Sequence, residues 1–171
     1  MSQSDSGVVS DASEPAPGQS GAATPPDPRR WRALTVLALV QFIIVIDNTV
    51  VNVALPSVQH ALHFSSDGLA WVINGYLLTA GGLLLFGGRV GDLLGRKRMF
   101  LFGTALFGLA SLVCGAAPTA AVLVASRFAQ GMGEAFASPA ALSLIALLFT
   151  DRAERSKALG IWGALGGLGA T

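Results

Sequence analysis

Charge is scarce in this chain. Asp, Glu, Lys and Arg make up only 12% of its 171 residues, whereas a soluble domain carries about 25%. The net charge of +1 leaves no basic face for nucleic acid. Cysteine is nearly absent. The single Cys114 excludes a disulfide framework or thiolate metal site, and inside an apolar run it reads as a small buried hydrophobe. Histidine is limited to His60 and His63, which share one short connection with Asp67. Two imidazoles alone make a poor metal site, so no metal is expected. No nucleophile–base constellation and no cofactor loop is present, so the chain reads as neither an enzyme nor a cofactor carrier. What it has is apolar: 52% of the residues are hydrophobic, and they lie in long runs.

The runs have spanning length. About 20 apolar residues cross a bilayer as a helix, and the spans read as about 33–55, 69–87, 99–117 and 120–149. A fifth runs from about 158 to the last residue, 171, too short to cross. Pro56 follows the first span. The fourth is longer than a bilayer needs, so a tilt, a bend at Pro139 or a cytoplasmic extension is expected. Trp71 and Tyr76 lie toward the outer end of the second, as interfacial aromatics do. Residues 1–32 form a cytoplasmic tail, and the Ser-, Pro- and Gly-rich composition up to residue 28 reads as disordered. The fold class is all-α integral membrane, with four complete spans and the start of a fifth over 33–171. The sequence thus reads as the amino-terminal portion of a longer protein, whose remaining carboxy-terminal spans would be its partners in the bilayer.

The basic residues orient the spans. Arg29, Arg30 and Arg32 precede the first. Arg89, Arg96, Lys97 and Arg98 lie in the second connection, and Arg152, Arg155 and Lys157 in the fourth. If the spans alternate, all of these fall on one side, which the positive-inside rule makes the cytoplasm. The amino terminus is then cytoplasmic, in a multi-pass protein of the cell membrane.

Three charges remain inside the apolar runs: Asp47, Arg127 and Glu134. Each costs roughly 2.5–3.5 kcal/mol at a span centre on an insertion scale, so each is expected to face a partner or a cavity. Counted at 1.5 Å per residue, Asp47 lies about 21 Å from the cytoplasmic end of its span, and Arg127 about 20 Å. They are therefore expected to pair or to share one polar cavity. A functional proton-exchange pair and a static ion pair both fit. Glu134 lies two turns beyond Arg127 on roughly the same face, with Gln130 and Ser138 widening the stripe. It is either a proton-exchanging acid or a neutral group bonded to a neighbouring helix. Gln41, Asn48 and Asn52 form another stripe on the first span. These amides either line a substrate path or hold helices together. Ala125, Ala129, Gly133, Ala137 and Ala141 recur every fourth residue as a ridge for close helix packing.

The second connection, Gly88-Arg89-Val90-Gly91-Asp92-Leu93-Leu94-Gly95-Arg96-Lys97-Arg98, reads as a tight charged loop. Without a preceding strand or a Gly-Lys-Ser/Thr ending it is no phosphate loop. Gly88, Gly91 and Gly95 permit a turn and close packing. Asp92 is placed to cap or attract a neighbouring helix amino terminus, and Arg96 and Lys97 to face anionic headgroups or acidic partners.

This loop resembles the signature between spans two and three of the major facilitator superfamily, with Leu93 where a basic residue is common. Arg127-Phe-Ala-Gln130-Gly131-Met-Gly133 resembles its fourth-span motif, with Glu134 where a small residue is usual. Asp47-Asn-Thr-Val-Val-Asn52-Val-Ala-Leu-Pro56 is similar to the first-span motif of the fourteen-spanner drug:proton antiporters. Gly160-Ile-Trp162-Gly163-Ala-Leu-Gly166-Gly167 resembles the approach to the fifth-span antiporter motif. The resemblance implies the amino-terminal part of a major facilitator bundle, with drug:proton antiport by alternating access. Its partners would be protons and an amphipathic or cationic small molecule. It also implies proton coupling at Arg127, with Asp47 and Glu134 placed to serve it, and gating at Gly88, Gly91, Asp92, Gly95, Arg96 and Lys97. Gln41, Asn48, Asn52 and Gln130 become candidates for the substrate path. Two other readings stand beside it: a superfamily transporter of sugars or metabolites, and a truncated membrane fragment without transport of its own.

Overall fold

The structure, a computed structural model, describes residues 29–62 and 66–168. The tail at 1–28, His63 and the last three residues of the fifth span lie outside the described residues, as does the side chain of Asp67. The described residues form five helices: α1 Arg29–Ala61, α2 Ser66–Leu94, α3 Arg96–Gly115, α4 Ala120–Leu148 and α5 Arg152–Leu168. The first four are long and apolar enough to cross a membrane.

The helices outrun the apolar spans for identifiable reasons. α1 does not stop at Leu55 but carries Pro56 inside it, since one missing N–H interrupts a helix without ending it when the flanking bonds remain. α2 runs on through Gly88, Gly91 and Asp92, so the expected ten-residue loop is a helix end and a single break. At that break the Gly95 N–H donates to the Gly91 carbonyl and the Gly95 carbonyl accepts from the Met99 N–H, both at 3.1 Å. Gly95 thus closes one helix and opens the next at φ 97°, a conformation that strains any residue with a Cβ. α5 starts at Arg152 rather than Ala158. The Asp151 carboxylate caps it, accepting from the Ala153 and Glu154 N–H groups at 3.0 Å each, so the charged turn is already helical. α4 keeps its expected start, with Thr119 as cap, and passes through Pro139 unbroken.

α4 is the axis of the packing, lying along both α2 and α3. Two glycines two residues apart face opposite neighbours. A Cβ on Gly131 would overlap the Thr79 hydroxyl and the Tyr76 carbonyl of α2. A Cβ on Gly133 would stand 2.7 Å from the Phe107 amide nitrogen of α3, and one on Gly103 2.6 Å from the Ala137 amide nitrogen. Backbone meets backbone on both sides, as in close-packed membrane helices. The ridge read from the sequence is buried at Gly133, Ala137 and Ala141, but Ala125 is exposed and Ala129 half-buried.

The charged connections gather at one end. The Arg30 guanidinium grips the Glu154 carboxylate with two bonds of 2.6 and 2.8 Å, tying α1 to α5. Trp31 meets Phe149 edge-on at 5.1 Å. The α2–α3 break shares a crevice with Leu144 and Leu147 near the end of α4. An apolar cluster of Leu34, Phe100, Ile145, Phe149 and Ala158 closes this end of the bundle.

Candidate functional site

Midway along the bundle the polar side chains converge. Arg127 of α4 is 2% exposed, and its donors are all directed. Nε donates to the Val72 carbonyl of α2 at 3.2 Å. Nη1 donates to Asp47 Oδ2 of α1 at 3.2 Å and to Gln130 Oε1 at 2.9 Å. Nη2 donates to Asn48 Oδ1 at 2.8 Å. Its guanidinium carbon lies 4.3 Å from the Tyr76 ring centroid, a cation–π contact. A planar fork with five donors can do this; an ammonium cannot.

Asp47 is held as completely. Oδ2 also accepts from Gln130 Nε2 at 2.8 Å, and Oδ1 accepts from the Ser111 hydroxyl of α3. The pair is thus direct, as one of the sequence alternatives had it. With two charges taken out of water, these added bonds offset desolvation. Glu134 accepts from the Tyr76 hydroxyl, and the Tyr76 oxygen accepts from Asn48 Nδ2 at 2.7 Å. Four helices therefore meet in one hydrogen-bonded chain from Ser111 to Glu134.

Of the sequence candidates, Asp47, Asn48, Arg127, Gln130 and Glu134 come together. Asn52 does not: it is exposed and donates back to the Asn48 carbonyl at 2.9 Å. Gln41 lies apart, in a crevice with Ser138 of α4 and beside Gly166 of α5. The three amides share a face by periodicity but reach different neighbours. Tyr76 needs correction. It is not an interfacial aromatic but 6% exposed in the core, while Trp71 is half exposed and stacks on Phe128 at 6.3 Å. Tyr76 and Ser111 were missed as site residues. The available signal was the α2 stripe of Val72, Gly75, Tyr76, Thr79 and Gly87, which marks its packed face.

Cys114 is half-buried. It lines a groove of about 650 Å³ between α1 and α3, together with Ser111 from its own helix and Asp47 from α1. At the basic end, Asp92 Oδ1 accepts from Arg96 Nη2 at 3.2 Å and Nε at 3.3 Å. Asp92 sits in the last turn of α2 and binds a side chain from the first turn of α3; no side chain caps the α3 backbone. Gly91 packs beside Met99, Gly88 beside Pro139, and Lys97 is exposed.

The family model of the major facilitator superfamily matches residues 37–171. The chain belongs to that superfamily. It is 52% identical over 154 residues to the puromycin resistance protein of Streptomyces alboniger, covering 90% of this chain and 31% of that protein. It is 51% identical over 117 residues to the lincomycin resistance protein of Streptomyces lincolnensis, covering 68% of this chain and 24% of that one. It is 40% identical over 144 residues to the multidrug resistance protein Stp of Mycobacterium tuberculosis, covering 83% and 27%. The chain thus spans a third or less of the length of these relatives. Superfamily membership and four membrane-length helices make it a multi-pass membrane protein of a transporter family, not an enzyme family.

Proposed function

We propose that the chain is part of a proton-coupled exporter of amphipathic, often cationic, drugs that works by alternating access. The observation that carries this reading is the pair of buried Arg127 and half-buried Asp47, bonded at 3.2 Å within a network that also holds Glu134. Intramembrane charges are expensive and usually mark ion or substrate pathways. A carboxylate held by an arginine can exchange that partner for a proton. Each exchange changes which helices are tied together, and two bundles rocking about a midplane site use that kind of change. The resistance names of the relatives support a drug as the exported species. In this reading the basic end is cytoplasmic, and the Asp92–Arg96 contact gates there with Gly88, Gly91, Gly95 and Lys97.

The test is Asp47→Asn in the full-length transporter, expressed in a drug-sensitive host. Asparagine keeps the shape and one acceptor but removes the titratable charge. Export driven by an imposed pH gradient in everted vesicles should fall at least tenfold, with little loss of folded protein from the membrane. Unchanged pH-driven export would sink the role given to Asp47.

A further inference from the structure

Glu134 and the Asp47–Arg127 pair do not touch each other in any bond described above. They are joined through two side chains. Tyr76 donates its hydroxyl proton to Glu134 Oε2 and accepts from Asn48 Nδ2 at 2.7 Å. Asn48 presents Oδ1 to Arg127 at 2.8 Å. The Tyr76 ring lies 4.3 Å from the same guanidinium. One tyrosine thus touches the acid through its hydroxyl and the guanidinium cation through its face. We propose that Tyr76 is a positioning residue that couples Glu134 to the Asp47–Arg127 pair, so that the two carboxyls bind protons as one unit. This rests on the proton-coupled reading above.

The coupling follows from which atoms hold a proton to donate. Ionised Glu134 is acceptor-only, so the Tyr76 proton points at it and the tyrosine oxygen is free to accept from Asn48. When Glu134 is protonated on Oε2, that oxygen donates at this contact instead of accepting. The Tyr76 proton then turns away, and it competes with the Asn48 N–H for the same side of the oxygen. Loosening Asn48 removes one acceptor from Arg127, which alters the hold on Asp47. Hydrogen bonds in a chain of this kind polarise one another. The titratable or charged groups facing the unit are Asp47 from α1, Cys114 from α3, and Arg127 and Glu134 from α4. On α2 it is Tyr76 itself, and the charges of α5 lie away at the basic end.

The experiment is a mutant cycle in the full-length transporter reconstituted in proteoliposomes, reading drug-induced proton flux against pH. Coupled sites shift each other by more than about 1 pH unit. Glu134→Gln should therefore move the midpoint of the flux profile by about 1 unit when Tyr76 is present. In Tyr76→Phe, which keeps the ring under Arg127 and removes only the hydroxyl, the same Glu134→Gln change should move it much less. Asn48→Ser breaks the chain at its other link and should reduce the shift likewise; it carries the test if Tyr76→Phe does not reach the membrane. Equal shifts in the Tyr and Phe backgrounds, or in the Asn and Ser backgrounds, overturn the coupling while leaving antiport intact. Absence of drug-induced flux in the unmodified protein overturns the antiport reading instead.

Discussion

Arg127 makes four hydrogen bonds to three helices, and no other side chain could replace it at equal cost. Lysine would keep the charge but has a single nitrogen, which cannot reach the Val72 carbonyl and Asn48 while holding Asp47. Each buried acceptor left without a donor costs roughly 1–3 kcal/mol. Arg127→Lys is therefore expected to lower the thermal unfolding midpoint of the detergent-solubilised full-length protein, as well as to abolish resistance. An unchanged midpoint would mean that the ammonium finds an equivalent set of partners. The surface pair Asp92–Arg96 is the contrast. Its side chains are 52% and 35% exposed, and such pairs contribute about 0–1 kcal/mol. Breaking it should leave stability nearly unchanged, so any loss of export there would report on gating.

At the scale of the element, what the sequence made legible and what it hid divide along physical lines. The spans, their order and the Asp47–Arg127 pairing could be read, because hydrocarbon thickness and desolvation cost leave few alternatives. Helix ends could not, because they are decided by local chemistry beyond the apolar run: the Asp151 cap, the single left-handed Gly95, and the tolerance of Pro56. Tyr76 was misread because depth from a span end does not reveal which neighbour a face meets. The close approach of α4 to α3 was legible as a ridge, but its partner glycine on α3 was not. That partner yields a test. Gly103→Ala would set a methyl 2.6 Å from the Gly133 carbonyl oxygen and the Ala137 amide nitrogen, backbone atoms that cannot swing aside. Overpacking of this kind costs about 1–3 kcal/mol. Gly108→Ala, on the same helix with nothing within 4 Å, should instead be neutral or stabilise by up to about 1 kcal/mol through helix propensity. Thermal denaturation of both variants in detergent would check this. Equal behaviour would argue against the α3–α4 backbone contact.

For the molecule as a whole, the decisive question is which face of the membrane holds the basic end. Arg30, Arg96 to Arg98 and Arg152 to Lys157 lie at the ends of different helices, yet the packing brings them to one pole. Arg30 bonds Glu154 across α1 and α5, Lys157 lies 5.9 Å from the Trp31 ring, and the α2–α3 break borders the end of α4. The opposite pole, around the α3–α4 turn at Ala116 to Thr119, has no Lys or Arg. A charge asymmetry this complete, in connections this short, fixes orientation during insertion. The expected outcome can be read with single cysteines in a full-length protein from which Cys114 and any further cysteines have been removed. Arg98 and Ala116 are both exposed, so either position reports on its own side. A membrane-impermeant maleimide added to intact cells should label Ala116→Cys and spare Arg98→Cys, and everted vesicles should reverse the pattern. The opposite result would put the amino terminus outside. It would also overturn the cytoplasmic placement of the Asp92–Arg96 contact proposed above.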